Sequence, residues 1–160
     1  GRMQARVLSR MQVTINKKVV SSRILNDALF CHRSPAATSR YLIEAKGITE
    51  EHKSSGLWVG PAAGSTAAQR SAGGKVLPLE SNKLQLVVRE PYTPKGERYR
   101  LRTFTVSPGE PIVVRSKMRE AVIFLDGPDL VVKPEFGDVI TFSQASEPLS
   151  LLGLPTKRKS

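Results

Sequence analysis

Ser54-Ser55-Gly56-Leu57-Trp58-Val59-Gly60-Pro61-Ala62-Ala63-Gly64-Ser65-Thr66-Ala67-Ala68-Gln69-Arg70-Ser71-Ala72-Gly73-Gly74 is the stretch that decides how this chain is read. It begins as a short apolar strand, passes a Gly/Pro turn, and continues as a helix over Ser65–Ala72. Ser65 or Thr66 is the expected N-cap, because a hydroxyl can accept a free amide of the first turn. Gly73 is the expected C′ residue, since the left-handed cap conformation favours a residue without Cβ. A helix that starts behind small residues offers unpaired N–H groups and a positive dipole end. Small residues also let a ligand approach the backbone. Two readings follow: a strand–turn–helix whose glycines only shape the turn, or the seat of a nucleotide. The string is not a P-loop, which needs Gly-Lys-Ser/Thr at the helix start, and it lacks the Rossmann glycine spacing.

Outward from this motif the chain reads as β. Arg6–Ile15 places Val7, Met11, Val13 and Ile15 on one face and Arg10, Gln12 and Thr14 on the other, the period of a half-buried strand. Ile24–Phe30, Tyr41–Ala45, Leu57–Val59 and Lys83–Arg89 are further strands, the last ending before Pro91. Tyr99–Val106, Pro111–Arg115, Ala121–Leu125, Leu130–Lys133 and Asp138–Phe142 complete the set. Turns are signalled by Ser107-Pro108-Gly109 and Asp126-Gly127. Glu50–Ser55 reads as a polar loop. Trp58 is expected to pack against the helix that follows it, with stacking on a ligand as the alternative reading. The expected fold is all-β: a multi-stranded, layered β-sandwich with one short helix near residues 65–72.

At 160 residues, 39% of them hydrophobic and 24% charged, the chain has ordinary globular composition. No apolar run approaches the ~20 residues of a membrane helix. The one cysteine, Cys31, and two histidines cannot build a structural zinc site. No metal is therefore expected on this chain. The net charge of +11 favours phosphate-bearing partners, either a nucleic acid or the phosphates of nucleotides. Only 6% of residues are aromatic and no aromatic–basic RNA-recognition signature occurs, so nucleic acid is not the expected partner. Part of the charge lies in residues 154–160, read as a basic disordered tail.

The string Ala63-Gly64-Ser65-Thr66-Ala67-Ala68 followed by Gly73-Gly74 resembles the NAD kinase family, whose C-terminal domain carries Thr-Gly-Ser-Thr-Ala-Tyr and then a Gly-Gly pair. The resemblance extends to Asn26-Asp27, where the family has Asn-Glu, with Pro35–Tyr41 following it. Ser54-Ser55-Gly56-Leu57 stands where the family has Ser-Asp-Gly-Leu. Glu120–Gly127 and Phe136–Ile140 match later landmarks, an Asp-Gly strand end and a Gly-Asp strand opening. Lys53–Leu57 and Val88–Pro91 look most like the organellar NADH/NAD kinase branch.

The resemblance implies a fold, a reaction and a site. The family transfers the γ-phosphoryl of ATP, with Mg²⁺, to the 2′-hydroxyl of the adenosine ribose of NAD or NADH. Its largely β C-terminal domain binds the dinucleotide and forms oligomers. Its N-terminal α/β domain carries a Gly-Gly-Asp-Gly-Thr motif whose Asp is linked to catalysis. That motif does not occur here. Residues 1–153 are thus expected to be a single β-rich dinucleotide-binding domain, inactive as a kinase alone, without catalytic residues or a tightly bound cofactor. Asn26 and Asp27 match the pair that contacts the ribose and diphosphate. Gly64, Ser65, Thr66 and Ala67 match the helix start at the adenine and ribose, and Ser71 a later position on that helix. Ala68 replaces a Tyr that stacks on adenine in many members. Ser55 replaces an Asp near the nicotinamide, which is expected to alter the choice between NAD⁺ and NADH. The expected compartment is intracellular: cytoplasmic, with an organelle as the alternative. Two other readings are a basic β-module for nucleic acid and a kinase paralogue without catalysis.

Overall fold

Short runs of alternating and β-branched residues, punctuated by Gly, Pro and Asx turns, dictate strands joined by hairpins. The computed structural model describes residues 5–152, and residues 154–160 lie outside the described residues. The strands are β1 (Ala5–Leu8), β2 (Met11–Ile15), β3 (Lys18–Ile24), β4 (Ala28–His32), β5 (Ser39–Ala45), β6 (Ile48–Ser54), β7 (Leu57–Pro61), β8 (Leu84–Val88), β9 (Thr103–Val106), β10 (Ile112–Ser116), β11 (Ala121–Leu125), β12 (Leu130–Val132), β13 (Val139–Gln144) and β14 (Leu149–Leu152). A 3₁₀ turn at Ala62–Gly64 and one helical turn, α1 (Ala68–Ser71), follow β7.

Two six-stranded sheets form the layers. One runs β3-β2-β13-β10-β5-β6 and the other β12-β11-β4-β7-β8-β9; β1 and β14 make a separate ribbon. Every pairing is antiparallel. Both sheets contribute to one core containing the fully buried Phe30, Leu57, Leu86, Ile123, Tyr41, Ile43, Ile140 and Phe142. Phe30 of one sheet meets Tyr41 of the other edge to face, centroids 5.7 Å apart, a favoured aromatic geometry. No helix among the described residues is long and apolar enough to cross a membrane.

The layered β architecture with one short helix is as the sequence predicts, and several boundaries differ for identifiable reasons. Arg6–Ile15 is not one strand. The ladder breaks at Ser9-Arg10, where the Arg10 side chain turns to the carbonyls of Glu147 (3.0 Å) and Pro148 (3.5 Å). The break shifts the phase, so Leu8 is buried and Val7 is 51% exposed. Ile24–Phe30 is likewise divided, Ile24 closing β3 and Ala28 opening β4.

Glu50–Ser55 is not a loop: most of it belongs to β6, an edge strand. Its inward residues are polar, which hides the alternation. Most of their polar atoms find partners all the same, His52 Nδ1 excepted. His52 pairs with Glu50 at 2.7 Å, and Ser54 Oγ lies 2.7 Å from the Tyr41 hydroxyl. The first half of Tyr99–Val106 is irregular because the Arg100 and Leu101 amides donate to the Glu50 carboxylate (2.8 and 2.9 Å) rather than to a ladder.

The helix is shorter than Ser65–Ala72, and neither Ser65 nor Thr66 caps it. Its N-cap is Ala67, with no side-chain cap. The Ser65 hydroxyl is fully buried, donates to the Ala62 carbonyl (2.7 Å) and accepts the Leu77 amide (2.8 Å). The C-terminal end is as expected. Gly73 has φ +98°, and its amide bonds the Arg70 carbonyl while the Gly74 amide bonds that of Gln69, the Schellman arrangement.

Candidate functional site

The β3–β4 loop, Leu25–Asp27, is held from the far end of the chain. The Asp126 carboxylate accepts the backbone amides of Leu25 (3.0 Å), Asn26 (2.7 Å) and Asp27 (3.2 Å). The Asp126 amide in turn donates to the Asp27 carbonyl at 2.9 Å. Asp126 and Gly127 both take positive φ, so the Asp-Gly turn that ends β11 also aims this carboxylate back at the loop. Charge-assisted bonds of this kind are stronger than neutral ones.

The other side of Asn26 is fixed by small residues and a buried amide relay. A Cβ at Gly60 would lie 2.3 Å from the Asn26 carbonyl oxygen, and one at Gly64 would lie 1.7 Å from it. Gln69 Nε2 donates to that oxygen at 3.3 Å. Gln85 Nε2 donates to Gln69 Oε1 (3.1 Å) and to the Lys75 carbonyl, while Gln85 Oε1 accepts the Lys75 amide (2.8 Å). Gln69 and Gln85 are both fully buried. The glycines therefore have a packing reason: they let the 3₁₀ turn and β7 close onto residue 26.

A cleft of about 630 Å³ opens beside this loop, lined by Asn26, Asp27, Thr66, Ala67, Asp126 and Trp58, with Leu29 and Phe124 beneath. Burial, and then the neighbouring Asp126 charge, push the Asp27 carboxyl up to about 6. No described residue donates a hydrogen bond to that carboxyl, so it can accept one from a ligand. Across Trp58 lies a second groove of about 580 Å³, lined by Ala68, Ser71, Arg89, Glu90 and Arg102. A third, of about 460 Å³, holds Ser55, Cys31, His32 and Arg33 and shares Arg89 and Glu90 with the second. Burial raises the Cys31 thiol above its ordinary range, against the lowering influence of Arg89.

Seven of the nine sequence-predicted residues are thus distributed over one continuous face. Asn26, Asp27, Thr66 and Ala67 share the first cleft. Ala68 and Ser71 lie in the second groove. Ser55 lies in the third, its Oγ donating to Glu90 Oε2 at 2.8 Å and its carbonyl accepting Arg89 Nη1 at 3.1 Å. Gly64 and Ser65 line none of the three and support the 3₁₀ turn from within. Four residues at or behind this face were not singled out in the sequence as site residues: Trp58, Gln69, Arg89 and Asp126. Asp126 was legible as a turn, but its bonds reach across about a hundred positions. Among the described residues no group of three or more His, Cys, Asp or Glu could hold a metal. Asp126, the charged neighbour of Asp27, already has both oxygens on backbone amides. The donor set does not fit a resident Mg²⁺.

No protein-family model matches the chain. It is 34% identical over 158 residues to a probable NADH kinase of Oryza sativa subsp. japonica, a match covering 95% of this chain and 49% of that protein. It is 38% identical over 99 residues to an NADH kinase of Arabidopsis thaliana, covering 62% of this chain and 31% of the relative. The chain therefore spans half or less of the length of these curated relatives. In fold it is similar to yeast NADH kinase complexed with NADH (TM-score 0.81, 13% identity, 97% of this chain and 48% of that one). It is also similar to an NAD kinase from Archaeoglobus fulgidus in complex with ATP (TM-score 0.72, 23% identity, 92% and 54%). In sequence this chain is thus similar to about half of an NADH kinase, and it shares its fold with about half of these NADH and NAD kinase structures.

Proposed function

We propose that this chain is the dinucleotide-binding and oligomerisation domain of an NAD(H) kinase, which phosphorylates the 2′-hydroxyl of the adenosine ribose of NAD(H) at the expense of ATP. The observation that carries this reading is the convergence of Asn26, Asp27, Thr66 and Ala67 on one cleft. These are four of the positions that the family resemblance assigns to the dinucleotide, and the relatives are named NADH kinases.

The chemistry of this half is positioning. An Asp27 carboxyl that titrates near 6 is largely ionised at neutral pH and accepts hydrogen bonds from the ribose hydroxyls. Asn26, locked on both sides of its backbone, presents its side chain at a fixed place. Ala68 provides no aromatic stack. Phosphoryl transfer is mostly positioning and electrostatics, and the Gly-Gly-Asp-Gly-Thr string tied to it does not occur in this sequence. We assign turnover, ATP and its Mg²⁺ to a complete protein that supplies that segment, and expect no significant kinase activity from this chain alone. The substrates imply an intracellular compartment.

Self-association is supported by the face carrying the clefts. Its edge strands β12 and β9 are open, and Leu130 and Val131 are 54% and 40% exposed. Open edges invite pairing.

The experiment is a calorimetric titration with NADH and with a short single-stranded RNA, each at low and high salt. The proposal expects NADH heat that survives high salt. RNA heat that collapses with salt, without any NADH signal, favours the reading that the +11 charge serves nucleic acid.

A further inference from the structure

Between β8 and β9 the chain runs as a strap, residues 89–102, that leaves the site and returns to it. Arg89, Glu90 and Pro91 at its start and Arg102 at its end line the second groove together with Ala68 and Ser71. The start is fixed where it leaves the sheet, the Arg89 amide donating to the Gly56 carbonyl at 2.8 Å and the Ser55 amide to the Arg89 carbonyl at 2.9 Å. The Arg102 carbonyl accepts the Val88 amide at 2.8 Å, so the two ends of the strap close side by side.

The returning half of the strap is anchored on the other sheet, at its edge strand β6. The Glu50 carboxylate accepts the Arg100 amide at 2.8 Å and the Leu101 amide at 2.9 Å, the two residues that lead into Arg102. His52 Nε2 lies 2.7 Å from the same carboxylate. The His52 ring stacks on Tyr99, centroids 4.2 Å apart, and the Tyr99 hydroxyl donates to the Tyr92 carbonyl at 2.6 Å. The Tyr92 amide donates to the Lys53 carbonyl of β6 at 2.8 Å. Burial works against the charged form of Glu50, yet the two amides and the His52 ring outweigh it and hold its carboxyl below the ordinary range. The bonds it accepts are therefore charge-assisted at neutral pH, and stronger for it. Glu50 itself lines none of the three clefts.

From this arrangement, and resting on the reading that the chain binds the dinucleotide, we propose that Glu50 is a positioning residue for that binding: it fixes the backbone at Arg100 and Leu101, and through it the place of Arg102 in the wall of the second groove. Arg102 is exposed, and on an untethered strap its guanidinium would have to be ordered when ligand arrives. Ordering it beforehand removes that cost from binding. The one carboxylate lining the groove, Glu90, is engaged by the Ser55 hydroxyl at 2.8 Å. The groove therefore presents the charges of Arg89 and Arg102 to an anionic ligand, and a dinucleotide is anionic through its diphosphate. A cation held in the wall attracts it without needing to touch the phosphates.

The test measures the NADH affinity of the full chain by calorimetry, with a thermal melt for each variant, in the wild type, Glu50→Gln, Glu50→Ala, Arg102→Gln and the double variants that combine each Glu50 change with Arg102→Gln. Glu50→Ala is expected to weaken NADH about tenfold, and Glu50→Gln, which keeps one acceptor oxygen, to weaken it less. Arg102→Gln is expected to weaken NADH by a factor similar to that of Glu50→Ala. The double variants should bind no more weakly than Arg102→Gln alone, because Glu50 acts through Arg102. A role of Glu50 in overall stability alone predicts instead that the two losses multiply. Should Glu50→Ala fail to fold, the same cycle is read with Glu50→Gln. Losses that multiply, or wild-type affinity in the folded Glu50 variants, overturn the positioning role and leave the dinucleotide reading intact. A wild-type chain that does not bind NADH overturns that reading and the proposal with it.

Discussion

The side-chain amide of Gln69 donates to the main-chain carbonyl of Asn26 at 3.3 Å, and Gln69 is itself held by Gln85 at 3.1 Å. A fully buried glutamine on α1 thereby sets the loop that presents Asn26 to the cleft. Gln69→Leu leaves the carbonyl without its donor, a loss of about 1–3 kcal/mol. We expect the melting temperature to fall by roughly 2–4 °C for each kcal/mol lost. NADH affinity should fall with it, because the same loop carries both. A variant that melts and binds like the wild type would show that the relay positions nothing.

Two glycines near this loop should behave differently when given a methyl group. At Gly64 the new Cβ would lie 1.7 Å from the Asn26 oxygen and 2.9 Å from its Cα. These are backbone atoms that cannot swing aside, so the loop itself must move. Gly64→Ala is expected to cost at least about 2 kcal/mol and to abolish NADH binding. At Gly73 there is open space but a φ of +98°. Gly73→Ala should cost only about 1–2 kcal/mol of backbone strain and leave binding intact. Chemical denaturation and a binding titration of both variants check the contrast.

Asp27 makes a pH-dependent contribution whose sign follows from its raised pKa, from 3.8 to about 6. Between those values the folded chain binds more protons than the unfolded chain. Stability therefore declines as pH rises from about 4 to 6, and the ionised form is held at a cost above that. Asp27→Asn is expected to stabilise the unliganded chain at pH 8, by up to about 3 kcal/mol, with the difference gone below pH 4. A ligand that donates hydrogen bonds to the ionised carboxylate should conversely bind more tightly as pH rises from 5 to 7. Denaturation curves across this range, with and without NADH, read both effects.

His52 contributes with the opposite slope. Burial lowers its pKa below the ordinary value of 6.5, and the Glu50 carboxylate beside it only partly opposes this. Its ring is stacked between Tyr41 and Tyr99, and its Nδ1 is buried without a hydrogen-bond partner. Neutral His52 fits; a second N–H would have nowhere to donate. The stability it supports is complete above pH 6.5 and is lost as pH falls through the lowered folded value. Because Asp27 works against this in the same region, the effect is best read in an Asp27→Asn background. There His52→Gln should flatten the acid limb of the stability curve. An unchanged acid limb would refute the assignment to His52.

What was legible in the sequence follows from what is local. Ala121–Leu125 is an apolar run and Leu84–Val88 is apolar but for Gln85, both legible as buried strands, and Asp126-Gly127 and Gly73-Gly74 are turn chemistry with a mechanism. β6 was hidden because Glu50, His52 and Ser54 face inward as polar residues, paired only by partners that the fold supplies. The expected cap at Ser65 failed because its hydroxyl is taken by Ala62 and Leu77, the latter twelve positions away. Asn26, Asp27, Thr66 and Ala67 could be named from motif order. The parts of Trp58, Gln69, Arg89 and Asp126 depend on strand register and on contacts between distant segments, which no local pattern encodes.

The most direct test of the central claim is the affinity of NADH for the wild-type chain beside Asn26→Ala and Thr66→Tyr, at high salt, by calorimetry. Asn26 and Thr66 are far apart in sequence and line the same cleft. The account expects wild-type binding that is lost or severely weakened in each variant, while both keep the wild-type β signature in circular dichroism. NADH binding of wild-type strength in both variants would contradict it, because the dinucleotide would then sit elsewhere.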